Sequence, residues 1–472
     1  MGRSGVGKDS WQHDRHWGPS RHAHRLSVRG RRSRLGSGLS AIEPVDTHAL
    51  EAVGVEVAQA LDAALTGPVL VIGTPPPAGR DLDLLAQPDD YAAISTWLDE
   101  AGFVRWGQTW ARFDQPGVYG VELGSTDRWR TNRGDASSLF VGAEPIPGFR
   151  HLSSPSPATV LLLAARGNVT RRGRITPKVR RRVAEALERD PGAWEVAEQR
   201  AGELGLVGSV RLLRESFQTS GRMPPSARAA GLAGVLLHDG PLGAKAKVFL
   251  GARPRRLRPA IISFSGLDGS GKSTQVSRLQ SRFAQLGVTS EVQWAGFKLG
   301  KRWHGTLPFL NRAKPGPPDR QPHDPVFPAA LAGTSLGRHA WVFVVVGLNT
   351  AHLWRLVLRR RPGSDVLIFD RFSPDSMVKL DLHFTRFRAI DIRWQRKLFT
   401  LISPKPDLGF LVDVSSEVAY SRRQEQTPEE LAHMCELYHE HVARFGLRRL
   451  DGTEDPDVLS DDIAVAAWRG LP

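Results

Sequence analysis

The run Gly266-Leu-Asp-Gly-Ser-Gly-Lys-Ser-Thr274 has the spacing Gly-x-x-x-x-Gly-Lys-Ser/Thr, and that spacing suits one task, the holding of phosphates. Gly266, Gly269 and Gly271 let the backbone curl until successive N–H groups of the loop, those of Ser270 and Thr274 included, point at the phosphates of a nucleotide. Lys272 reaches the β- and γ-phosphates, and the Ser273 hydroxyl binds Mg²⁺. ATP and Mg²⁺ are therefore the expected nucleotide and ion. A second run, Gly2-Arg-Ser-Gly-Val-Gly-Lys-Asp9, nearly fits the same pattern. It follows no strand and has Asp9 where the metal-binding hydroxyl belongs, so it reads as chance in a Gly/Arg-rich stretch.

Two further stretches fit phosphoryl transfer. Asp370-Arg-Phe372 closes the apolar run Val366 to Phe369. An Asp at that point of a parallel sheet lies beside the phosphate loop and can hold Mg²⁺ through water, while Arg371 can grip a phosphate with its planar fork. After the run Leu408 to Val412, Asp413-Val-Ser-Ser-Glu417 turns into a helix carrying Arg422 and Arg423. Cations on a segment over the phosphates would stabilise a transferring phosphoryl group, although a solvated basic helix face is the plainer reading of each. Asp81 and Asp83 stand two apart in a strand, so both face one side and could share a divalent metal, with Glu122 as a third acid. Two acids at this spacing also commonly flank an exposed strand. Cys435 is the only cysteine, which excludes a disulfide framework, and it reads as a buried structural residue.

These groups need elements to position them. A basic tail, 1–41, is expected to be disordered: in its first 40 residues nine cations face only Asp9 and Asp14. An α+β unit over 42–222 opens with a helix (Thr47 to Leu65), a strand (Pro68 to Gly73), a turn at Pro75 to Pro77, a strand (Asp81 to Leu85) and a helix (Asp89 to Ala101). Val118 to Leu123 alternates as a strand, and a helical extension runs from Ser156 to Phe217. Residues 223–259, rich in Gly, Ala, Pro and Arg, read as a linker with one short helix. From Ala260 to the C-terminus, Ile261 to Phe264, Val366 to Phe369 and Leu408 to Val412 are strand-like runs separated by helical stretches. That alternation predicts an α/β fold with a doubly wound parallel sheet of the P-loop NTPase type over 260–472.

Taken together, Phe264-x-Gly266-x-Asp268-Gly-x-Gly-Lys-Ser-Thr274, Asp370-Arg-Phe372, Val412-Asp-Val-Ser-Ser-Glu417 and Asp451-Gly-Thr-x-x-Pro456 resemble the thymidylate kinase family. The resemblance covers about Ala260 to Trp468. It implies that Asp268 and Arg371 face the phosphate acceptor, that Arg422 and Arg423 belong to a lid, and that the Asp451 stretch lies near adenine. It departs where the family stacks a Phe on thymine and bonds the base with an Arg: those places fall on Val346 and Thr350, with Phe343 and Arg355 able to serve only after a shift of register. Met377-Val-Lys379 replaces the family's Ala-Tyr-Gln. The first unit resembles the nucleotidyltransferase fold, with Gly73-Thr74 before the Asp81-x-Asp83 strand. That implies a two-metal nucleotidyl transfer, or a module that only binds a nucleotide or partner.

The net charge of +15 would suit a nucleic-acid or anionic-membrane partner. Much of it lies in the tail, so a nucleic acid is not the expected partner. The most apolar run, Ala340 to Trp354, is shorter than the roughly 20 residues of a membrane span and reads as a buried core helix. The expectation is a cytoplasmic ATP- and Mg²⁺-dependent phosphotransferase. Its partner is a small phosphorylated acceptor such as a nucleoside monophosphate, and a homodimer is left open. Two alternatives stand beside it: nucleotidyl transfer by the first unit, and an ATP-binding regulator without turnover.

Overall fold

The computed structural model describes residues 47–78, 81–114, 117–129, 136–171, 173–219, 223–239, 259–297, 334–360, 363–386 and 390–471. The basic tail, the near-match at Gly2 to Asp9 and most of the expected linker lie outside the described residues. Residues 45–472 form one compact unit built on two sheets.

The first sheet is mixed and seven-stranded. Its strands are β1 (Val69–Val71), β2 (Asp81–Ala86), β3 (Val104–Trp106), β4 (Thr109–Asp114), β5 (Gly117–Ser125), β6 (Glu144–Pro145) and β7 (Leu152–Ser154), in the order β3-β4-β5-β2-β1-β7-β6. The sequence reading reached β1, β2 and β5. It missed β3, β4, β6 and β7, which are short or mix Trp with Arg, so no clean alternation marks them. Helices α1 (Thr47–Ala64) and α2 (Pro88–Glu100) cover one face, where Leu61, Leu98, Leu82, Leu84 and Val121 share a core. The other face is covered by α3 (Pro157–Thr170), α4 (Pro177–Arg189), α5 (Ala193–Leu204) and α6 (Val207–Gln218), around Leu70, Leu85, Leu162 and Val210. Ser156 and Thr176 start α3 and α4 by accepting backbone N–H bonds, each followed by a Pro in the first turn. The expected linker begins with α7 (Pro225–His238), whose Val235 packs with Leu212 and Val169.

The second sheet is all-parallel and five-stranded, in the order β12-β11-β8-β10-β9. Its strands are β8 (Ala260–Ser265), β9 (Ser290–Trp294), β10 (Val366–Asp370), β11 (Leu408–Asp413) and β12 (Leu447–Asp451). The outer strands β9 and β12 escaped the sequence reading because they carry polar residues that a central strand would not. Both faces are covered, as a doubly wound sheet requires. Helices α8 (Lys272–Gln285) and α14 (Pro456–Gly470) pack on Ile262, Phe264, Phe410 and Val412. On the other face α9 (Ser335–Leu358), α10 (Ser373–Leu380) and α11 (Arg393–Ile402) pack around Ile261, Leu367 and Phe369. Helices α12 (Ser416–Arg422) and α13 (Pro428–Phe445) lie toward β11.

Helix α9 corrects one expectation. It has 24 residues, more than the apolar run suggested, and by length and composition it could cross a membrane. Its inner face, with Trp341, Val345, Val346 and Leu353, is part of the core. The buried Asn349 is satisfied within the helix, donating to the Val345 carbonyl at 3.0 Å.

The two sheets share a core. Val104, Ala111, Phe113 and Val118 of the first sheet pack with Phe283 of α8 and Trp468 of α14. Trp106 meets Trp468 edge-on at 5.0 Å between ring centroids, and the Val118 N–H donates to Gln285 Oε1 at 3.1 Å.

Candidate nucleotide-binding cleft

Strand β8 is buried along its whole length between β10 and β11, so the loop that leaves it opens at the carboxyl end of the sheet, between strands whose chains depart elsewhere. Gly266, Gly269 and Gly271 all have positive φ, at 138°, 88° and 96°. Other residues avoid such backbone, and at two of the three space forbids them too: a Cβ on Gly269 would lie 2.8 Å from the Ala419 carbonyl, and one on Gly266 would collide with that of Val412. Helix α8 starts at Lys272, with its first N–H groups toward the loop. Lys272 is only 5% exposed, and its ammonium donates to the Leu267 carbonyl and the Ser270 hydroxyl. Burial, then the charge of Arg371, pushes that ammonium down to about 8.

Parallel pairing sets Asp370 of β10 level with Phe264 of β8. The Ser273 hydroxyl donates to Asp370 Oδ2 across this gap. A hydroxyl and a carboxylate at the head of the loop are hard oxygen donors, the set that suits Mg²⁺. Arg371 follows with φ of 71°, a left-handed conformation that costs a non-glycine residue about 1–2 kcal/mol. Its N–H donates to the Phe264 carbonyl at 2.9 Å. Its guanidinium forms ion pairs with Asp268 on one side and Asp375 on the other. Burial alone would raise the Asp268 carboxyl; Arg371 and Lys272 outweigh it and hold the group below the ordinary range.

Asp375 is 1% exposed and gathers four donors. Ser265 Oγ at 2.7 Å and the Phe372 N–H at 3.0 Å reach Oδ2; Tyr438 Oη at 2.7 Å and Arg371 Nη1 at 3.4 Å reach Oδ1. Sequence reasoning missed this carboxylate.

The loop opens on a cleft of about 570 Å³. Asp268, Gly269, Gly271, Lys272, Ser273 and Thr274 line it from the loop, and Asp370 and Arg371 from β10. Arg422 and Arg423 line it from the end of α12. Arg422 donates to the Gly452 carbonyl at 3.1 Å, while Arg423 pairs with the exposed Glu425 at 2.6 Å. Gly266 and Ser270 lie under the loop and do not line the cleft. Besides Asp375, the cleft lining includes residues given no site role from the sequence, among them Trp294 and Phe297, at and beyond the end of β9, and Lys379 of α10.

The positions compared with thymine-reading residues lie elsewhere. Val346 is fully buried, and Thr350 shares a hydrogen bond with Ser403 at 3.0 Å. Phe343 is 42% exposed on the outer side of α9, and Arg355 is exposed as well. None of the four lines the cleft.

The acids of the first sheet form a separate cluster. Asp81 and Asp83 share a face of β2, and Asp83 pairs in register with Glu122 of β5. Burial, then Asp81 and Glu122, pushes the Asp83 carboxyl up to about 6; Lys178 and Arg182 of α4 pull it back. Gly73 must be glycine here, since a Cβ would lie 2.6 Å from Asp83 Oδ2. Cys435 corrects another expectation: it is only half-buried, 3.9 Å from His439 Nε2, in a group with Asp413. Arg449 already pairs with that Asp413 at 2.6 Å.

No family model matches this chain. Over 170 residues it is 23% identical to the thymidylate kinase of Wolbachia pipientis wMel, a match covering 36% of this chain and 74% of that protein. Over 213 residues it is 22% identical to the probable thymidylate kinase of Pyrobaculum aerophilum, covering 43% and 94%. Over 218 residues it is 24% identical to the thymidylate kinase of Thermomicrobium roseum, covering 43% and 91%. These distant, partial matches support assignment to a P-loop-kinase-like superfamily, in keeping with the all-parallel sheet.

Proposed function

We propose that the cleft transfers the γ-phosphoryl group of ATP to a small phosphorylated acceptor, a nucleoside monophosphate such as dTMP or a related compound. The observation that carries this reading is the convergence of Lys272, the Ser273–Asp370 pair and the Asp268–Arg371 pair on one wall. In the transfer, an acceptor oxygen forms a bond to the γ-phosphorus while the bond to the β,γ-bridging oxygen breaks, and ADP leaves. Lys272 exchanges its bonds to Leu267 and Ser270 for phosphate oxygens. Asp268 and Asp375 fix the plane of Arg371, which orients the acceptor. Arg422 and Arg423 offer positive charge where negative charge spreads over the transferring group. Ser273 and Asp370 would hold Mg²⁺, which would neutralise charge on the phosphates of the nucleotide.

The test is ADP formation with ATP and Mg²⁺ against a panel of nucleoside monophosphates and phosphosugars. ADP release that depends on an added acceptor supports transfer. Tight ATP binding without acceptor-dependent ADP would favour the regulator instead. The exposed Leu336, Phe343, Val344 and Leu358 of α9 offer an apolar face for a second copy; sedimentation as a monomer at micromolar concentration would remove the homodimer.

A second reading has its own support in the Asp81, Asp83 and Glu122 cluster. Asp81 and Glu122 both disfavour the charged form of Asp83, and a divalent ion would relieve that repulsion, so nucleotidyl transfer by the first sheet is a separate proposal. Pyrophosphate released from a nucleoside triphosphate, and lost in Asp81→Ala, is its expected signature. Release unchanged in that variant would refute it.

A further inference from the structure

We propose that Lys379 forms an anion subsite in the cleft, distinct from the phosphate loop, and that it takes an oxyanion of the acceptor. The inference rests on the transfer reading above and narrows the acceptor to compounds whose anionic group does more than receive the new phosphoryl. Five cations line the cleft, Lys272, Arg371, Lys379, Arg422 and Arg423, and all but Lys379 already hold an oxygen partner among the described residues. Arg371 is paired on both sides by Asp268 and Asp375. Lys272 bonds two oxygens of its own loop. Lys379 lines the same cleft, yet among the described residues its one hydrogen-bond contact is Met434 Sδ at 3.4 Å, and a thioether is a poor acceptor.

Among the described residues Lys379 makes no ion pair. Three carboxylates, Asp268, Glu430 and Asp375, favour its charged form through space. Asp268 and Asp375 are engaged by Arg371, and Glu430 does not bond it. Burial, then repulsion from Arg371, holds the ammonium below the ordinary lysine range. A partly buried ammonium without an oxygen partner is a standing cost to the fold. An oxyanion of the ligand removes that cost, because its oxygens accept charge-assisted bonds from both Lys379 and the edge of Arg371. Trp294 and Phe297 line the same cleft and offer an apolar surface to the rest of the acceptor.

The experiment uses the full chain with its phosphate loop filled by a non-hydrolysable ATP analogue and Mg²⁺, so that inorganic phosphate, the probe, reports only on the remaining cleft. Phosphate affinity is read by calorimetry for wild type, Lys379→Met and Lys379→Arg. Wild type is expected to bind phosphate, Lys379→Met to lose about ten- to a hundredfold of that affinity, and Lys379→Arg to keep most of it. Affinity for the ATP analogue should not change. The ligand-free melting temperature of Lys379→Met should equal or exceed that of wild type, since a methionine removes an unpaired charge, whereas a merely structural lysine would lower it. Phosphate bound equally by wild type and Lys379→Met, bound by neither, or a melting temperature that falls by several degrees in both variants, would overturn the subsite. Failure of wild type to bind the ATP analogue would strike the proposed function instead.

Discussion

Replacing Asp375 with Asn probes the hinge between stability and acceptor binding. Asn has the shape of Asp, but one of its two terminal atoms donates. Turned one way, the amide NH₂ faces Ser265 and the Phe372 N–H; turned the other way, it faces Tyr438 and Arg371. The serine or tyrosine hydroxyl can rotate to accept, but the Phe372 N–H or the Arg371 guanidinium cannot. One contact is lost outright in either orientation, and the others lose their charge. Bonds to a charged group are each worth about 1.5–3 kcal/mol, so the change should destabilise by about 3 kcal/mol, at the low end for breaking a buried ion pair. A domain of 150–250 residues loses about 2–4 °C per kcal/mol. Halving that for the 45–472 unit gives a fall of about 3–6 °C. Arg371, left with Asp268 alone, should hold the acceptor less well, so acceptor KM should rise while ATP affinity stays. Differential scanning calorimetry and steady-state kinetics on one preparation would measure both. A melting temperature within 1 °C of wild type, roughly what about 0.5 kcal/mol would give, together with unchanged acceptor kinetics, would refute the role assigned to this carboxylate.

Lys272→Ala is expected to abolish ADP formation while the protein stays folded, as a coupled assay and circular dichroism would show; turnover like that of wild type would remove the loop from the mechanism. Asp83→Asn should raise the melting temperature most above pH 6. A carboxyl whose folded value is raised to about 6 from an ordinary 3.8 stabilises the fold only while protonated, so wild type loses that contribution as pH rises through 6 and the gap to the variant closes toward pH 4; a gap that does not vary with pH would contradict the assigned cause. Base discrimination among thymidine, uridine, cytidine and guanosine monophosphates should stay under about a thousandfold, because Val346 and Thr350 are buried away from the cleft. A larger preference in steady-state rates would mean that Trp294, Phe297 or their neighbours read the base.

The turn of the glycine-rich loop after β8 was legible because the residue types dictate it: its three glycines take backbone that other residues avoid. Asp370 was legible because it ends a continuous apolar strand. The Asp375 hub was not, since two of its four donors come from residues 110 and 63 positions away and only folding joins them. Lys379 stands out in sequence only as the end of Met377-Val-Lys379, where the resembled family has Ala-Tyr-Gln, and that departure assigns it no role. Trp294 belongs to an edge strand whose polar residues hid it. The register offered for Phe343 and Arg355 failed for a plain reason: the buried stripe of α9 runs through Trp341, Val345 and Val346, which turns Phe343 outward.

The core shared between the sheets has a consequence during synthesis. The apolar face of β3, β4 and β5 is complete once Val118 has been made, yet after a first contribution from Phe283 its closure by Trp468 comes only about 350 residues later. At the roughly 5–20 residues per second of a ribosome, that surface waits about 20–70 s for its cover. A nascent chain with an open Trp106, Phe113 and Val118 face is a natural client for a chaperone, and its yield should depend on translation speed. The same delay makes a stop codon after the first sheet a poor way to obtain that half alone, because the waiting face would never be covered.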